Sequence, residues 1–175
     1  MKVRGILVGT SAAALILSAV ATASPASAAT GVTLTVVGGA LSISVPATAD
    51  LGTWTNTVSG GTVSAPLGEV QVLDSRSATA GSGWVASVIS TALTPASGPT
   101  IGAASIGYSA GAITKVGTAT YVDNDPSNLT GVVAAVTATG ITGDNSATWN
   151  PTIDVHVAGG TAAGTYTGTI THSLA

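Results

Sequence analysis

Gly107-Tyr108-Ser109-Ala110-Gly111 has the G-x-S-x-G form of a nucleophile elbow, and Asp154 and His172 follow it in the order serine, acid, base of a hydrolase. In contact, those three side chains would support acyl transfer. The motif does so only on a strained strand-to-helix turn over a parallel sheet. The residues after Ser109, AGAITKVGTATYV, read as loop and strand. The match is therefore taken as coincidence, and no catalytic residue is assigned.

Other constellations weigh the same way. Asp154 and His156 lie two apart, so a strand would put both on one face, opposite Ile153, Val155 and Val157. A metal would need a third ligand there, and the remaining histidine, His172, belongs to another segment; no metal and no cofactor are expected. Asp123-Asn124-Asp125-Pro126 offers oxygen ligands but lacks the Gly and distal Glu of an EF-hand loop, so a plain turn is the reading. Glu69 and Asp74 have opposite parity and do not converge as a glycosidase pair would.

Polysaccharide recognition needs flat aromatic faces beside hydroxyl and amide groups. The chain has Trp54, Trp84 and Trp149, Tyr108, Tyr121 and Tyr166, and no Phe. Trp84 shares parity with Ala86 and Val88 and is expected in the core, although it stays among the candidate ligand-binding residues. Trp54, in LGTWTN, and Trp149, in ATWNP, sit beside turn residues and are the candidates for exposed platforms, with packing at the core edge as the default reading for both.

The elements that must position these groups are strands. Gly, Ala, Thr, Ser and Val dominate, while Glu, Lys, Arg, Gln and Met are nearly absent. Apolar residues alternate at Val32/Leu34/Val36, Leu41/Ile43/Val45, Val70/Val72, Trp84/Ala86/Val88 and Ile153/Val155/Val157. SGG (59–61), AGSG (80–83), PASGP (95–99), DNDP (123–126) and GDN (143–145) mark turns. GVVAAVTATG (131–140) is read as strand because its β-branched residues and end glycines disfavour a helix. Short strands at such spacing predict an all-β, immunoglobulin-like antiparallel sandwich.

Lys2 and Arg4, an apolar run to about Val20, and Ala26-Ser27-Ala28 predict a cleaved signal peptide over 1–28 and a single domain over 29–175, with no membrane insertion after cleavage. Beyond residue 28, two cations, Arg76 and Lys115, stand against all seven acidic residues. So few cations exclude nucleic acid as a partner. The absence of cysteine removes disulfides, thiolate chemistry and a lipid-modified cysteine together.

The final segment, GTYTGTITHSLA (164–175), sets Tyr166, Ile170, His172 and Leu174 on one parity and Thr165, Thr167, Thr169, Thr171 and Ser173 on the other. This predicts a docked last strand whose imidazole faces inward and hydrogen-bonds a neighbour. Tyr166-x-x-x-Ile170-Thr171-x-x-Leu174 resembles the C-terminal Y-x-x-x-L-T-W-x-L motif of the WxL domain. VQVLDSRSATAGSGWVASV (70–88) resembles the segment bearing that family's first Trp-x-Leu, with Trp84 in the tryptophan position. LSISVPATADLG (41–52) and TWNPTIDVHVAGGTAAGTYTGTI (148–170) are similar in layout to WxL-like domains of actinobacterial secreted proteins. Ala86 stands where the first motif has Leu and His172 where the second has Trp, so neither literal W-x-L is present. The resemblance implies a secreted Gram-positive surface protein held non-covalently at the cell wall by peptidoglycan or an attached polymer. The alternative is a structural protein assembling with itself or another surface protein.

Overall fold

The computed structural model describes residues 30–175. The leader expected over 1–28 and the start at Ala29 lie outside the described residues. Val36–Ala175 form one compact unit, and Thr30–Thr35 belong to a separate one. No helix among the described residues is long and apolar enough to cross a membrane.

The compact unit is an all-β sandwich, as its alternation predicts. One sheet contains β1 (Leu41–Ser44), β3 (Val70–Ser90), β7 (Val133–Trp149), β6 (Thr114–Asp123) and β10 (Ile170–Leu174). β7 pairs with one flank of β3; β1 (on 71–74) and β10 (on 86–90) share the other. The second sheet has the order β2 (Gly61–Pro66), β8 (Thr152–Val157), β5 (Ile106–Ser109). β4 (Thr94–Pro95) and β9 (Tyr166–Thr167) form a small ribbon, and the pairings between named strands are all antiparallel.

The core lies between the two large sheets. Val70, Val72, Trp84, Ala86, Val88, Val136 and Trp149 of the first sheet and Ile106, Tyr108, Ile153 and Val155 of the second are buried together. Burying a large apolar side chain contributes about 1.5–3 kcal/mol, so a row of such residues offsets the ordering of a disulfide-free chain.

Asp74 continues the inward row of Val70 and Val72 and is also fully buried. Its Oδ1 accepts from Arg76 Nε at 2.8 Å and Arg76 N at 3.1 Å; its Oδ2 accepts from Arg76 Nη2 at 2.9 Å and Asn145 Nδ2 at 3.3 Å. Asn145 Oδ1 in turn accepts from Trp84 Nε1 and Tyr121 Oη, each at 3.2 Å. The Arg76 guanidinium holds the Asp74 carboxyl below the usual carboxylate range. This cluster lets one buried carboxylate and one buried indole N–H share a sandwich interior without an unmet polar group.

Three expectations need correction. Val32, Leu34 and Val36 have strand period but form no strand, and are 88%, 84% and 76% exposed. A strand needs partners, and this segment has none among the described residues. AGSG (80–83) and GDN (143–145) are not turns between strands. They lie inside β3 and β7, where glycines at positive φ (Gly81, Gly140, Gly143) accompany register shifts that bend two unusually long strands.

Candidate functional site

The last strand is docked as its two-residue rhythm predicts. Val85 N donates to Ala175 O and Ala175 N to Val85 O, so Ala175, Ser173 and Thr171 occupy hydrogen-bonded positions against β3. Ile170, His172 and Leu174 alternate with them and are half-buried, while Thr171 and Ser173 are exposed.

His172 meets a partner that is 64 residues away in the chain and on the other sheet. Trp149 Nε1 donates to Tyr108 Oη at 2.8 Å, and Tyr108 Oη lies 3.3 Å from His172 Nε2. The indole is a donor only, so Tyr108 Oη accepts from it and shares its remaining hydrogen-bonding capacity with the imidazole. Nδ1 is buried and has no partner among the described residues. Burial pushes the His172 pKa down and the Tyr108 pKa up, so both groups are uncharged near neutral pH.

Of these three residues, His172 lines a groove of about 1190 Å³. Its floor is apolar: Val63 of β2, Val155 and Val157 of β8, Leu93, Ile101, and Ile170 of β10. The segment 45–56 and the turn 161–169 supply the walls. Trp54 is half-exposed on the first wall, its ring lying so close to Gly61 that an added Cβ would meet Cζ2 at 2.8 Å. Tyr166 is half-exposed on the second, its hydroxyl donating to Ala162 O at 3.0 Å. Asn56 Nδ2 ties the walls together by donating to Ala158 O at 3.4 Å and Thr161 O at 3.0 Å. Thr53, Thr55, Thr161 and Thr165 add hydroxyls, and Asp50 adds a carboxylate. The groove thus has two aromatic faces and a hydroxyl-rich rim over an apolar floor.

Of the residues expected to bind a ligand, Trp54 lines this groove and Trp149 and Trp84 do not. Trp149 follows the default of core packing, and its candidate ligand-binding role is corrected: it is 2% exposed, because its position in β7 continues the inward row of Asn145 and Ala147. Trp84 is likewise 2% exposed and spends its N–H on Asn145, so it cannot reach a ligand. Among the family-motif positions, Tyr166, Ile170 and His172 line the groove, Leu174 packs on the core edge, and Thr171 points outward.

The other constellations dissolve into local structure. Tyr108 of β5 faces the core and His172, and Ser109, its neighbour, alternates to the opposite face, so Ser109 and His172 lie on opposite sides of a sheet. Asp154 bonds Ser64, and His156 Nδ1 lies 2.8 Å from Thr62 Oγ1, each across β2–β8. Asp125 Oδ1 accepts from Ala110 N at 2.8 Å, and Asp144 Oδ1 from Ser77 N at 2.9 Å. Glu69 is exposed just before β3, while Asp74 is enclosed. No group of three metal-ligating side chains occurs among the described residues. Sequence reasoning did not foresee Asn56 as a tie between the walls, Tyr108 as the partner of His172, or Asn145 as a buried hub. Only Asn145 left a signal, as an amide in the inward row that ends in Ala147 and Trp149.

Comparisons with known family models, with curated proteins and with solved structures give no match.

Proposed function

We propose that this chain is a secreted bacterial surface protein that binds the cell wall non-covalently, through peptidoglycan or an attached polymer, and does so without catalysis. The observation that carries the reading is that half-exposed Trp54 and Tyr166 line one groove together with threonine hydroxyls and the Asn56 amide. Flat apolar rings beside hydroxyl partners match the alternating faces of a sugar chain. The groove offers no cation, which favours an uncharged glycan over a phosphate-bearing polymer. The leader-like N-terminus and the WxL-like spacing of Tyr166, Ile170, Thr171 and Leu174 point the same way, as does an immunoglobulin-like reading of the sandwich. The separation of Ser109 from His172 supports the non-catalytic part.

Sacculus sedimentation tests this. The protein should pellet with insoluble wall, and Trp54→Ala should weaken binding about tenfold, on the order of 1.4 kcal/mol, while near-UV circular dichroism shows the sandwich retained. Wild-type protein remaining wholly in the supernatant would remove the proposal.

A further inference from the structure

The groove carries a second set of features that a glycan does not use. β2 pairs only with β8, and β10 only with β3, among the described residues. Each therefore leaves one edge unpaired, and both contribute to the groove: Val63 from β2, Ile170 and His172 from β10. Because Thr171 and Ser173 point their backbone groups at β3, the N–H and C=O groups of Ile170, His172 and Leu174 point away from it, along the open edge. An open edge over an apolar floor is a template for one more strand.

The chain also carries a strand without a sheet. Gly31–Val37, GVTLTVV, alternates Val32, Leu34 and Val36 with Thr33 and Thr35, and Val32, Leu34, Val36 and Val37 are 76–88% exposed. Three alternating apolar side chains at that exposure, Val32, Leu34 and Val36, are what a donor strand presents before it is paired. The fit extends to charge. The segment has no ionisable side chain, and the groove has only Asp50 and the uncharged His172 ring. The buried Nδ1 of His172, without a partner among the described residues, would gain a backbone hydrogen-bond partner from a strand laid along β10. The other long free edge, β6, is a poorer acceptor: Lys115 and a bulge at Gly117 interrupt it.

We propose that the groove is a strand-acceptor site and that its occupant is the 31–37 segment of a second copy of this chain. Reciprocal exchange gives a dimer and head-to-tail exchange a chain of subunits; both are self-assembly through one donor and one acceptor. The proposal goes beyond polymer binding and does not depend on it.

The test uses protein recovered from a secreting host, free of wall material, with mass measured by light scattering. Wild type should have a mass above that of one chain, and Leu34→Asp, which alters an exposed residue, should fall to a single chain with its circular dichroism unchanged. A synthetic peptide of residues 30–38 should then bind the Leu34→Asp protein and shift the fluorescence of Trp54, and the same peptide carrying Leu34→Asp should bind at least tenfold more weakly. Wild type with the mass of one chain overturns the proposal even if the peptide binds. Equal association of wild type and Leu34→Asp overturns it as well. Sacculus sedimentation of the Leu34→Asp protein separates the two readings: polymer binding that persists in a monomer leaves wall attachment standing whatever becomes of assembly.

Discussion

His172 shows how much a single residue's parity reveals and where it stops. Its place among Tyr166, Ile170 and Leu174 predicts an inward ring, and the ring is half-buried in the groove. Its partner Tyr108 was not legible, because the contact joins two sheets and depends on how they pack. The burial has a pH signature. The folded state holds the imidazole pKa below 6.5, while the unfolded chain titrates at about 6.5, so the unfolded state binds more protons as pH falls through that window. This contribution to stability is fully present above pH 6.5 and is lost as pH falls through the depressed folded value. The urea midpoint of wild type should therefore decline below pH 6.5, and His172→Phe should flatten that limb. An equal decline in both proteins would show that His172 is not its source. A further loss below about pH 4 is expected in both, where Asp74, held low by Arg76, becomes protonated.

At the scale of elements, alternation located most strands and glycine misplaced some of their ends. AGSG and GDN carry turn chemistry, yet β3 and β7 run straight through them, because a glycine at positive φ serves a bulge as well as a turn. Only the partner strand decides which, and the partner is set by pairing far along the chain. Gly117 and Gly143 separate the two costs of adding a side chain. Both have positive φ, at 87° and 71°, but a Cβ on Gly117 would meet Asp144 O at 2.5 Å and Asn145 Cβ at 3.0 Å, while one on Gly143 meets open space. Gly143→Ala should cost about 1–2 kcal/mol, the left-handed penalty alone. Gly117→Ala should cost clearly more, because the clash falls on backbone beside the Asn145 hub that holds Trp84, Tyr121 and Asp74. Denaturant midpoints at unchanged slope read the difference. Equal losses would mean that the β6–β7 bulge relaxes and the hub is not rigid.

For the molecule as a whole, composition foretold the electrostatic character but not the groove, which exists only once β2, β8 and β10 face one another. The cation supply is smaller in the fold than in the sequence. Among the described residues, Arg76 is committed to Asp74 at 2.8 Å, which leaves Lys115, whose Nζ lies 5.8 Å from the centre of the Tyr121 ring, on the edge strand β6 rather than in the groove. A polymer held through the groove must then be held by ring faces, hydroxyls and excluded water. Such contacts respond to salt in the opposite sense from ion pairs: screening at 1 M ionic strength confines charge interactions to about 3 Å, whereas sulfate strengthens apolar burial. Sacculus binding should therefore persist from 50 mM to 1 M sodium chloride and tighten in ammonium sulfate. Release of the protein by sodium chloride alone would place the contact at charged groups, and since the groove supplies no cation, it would move the binding surface away from Trp54 and Tyr166 altogether.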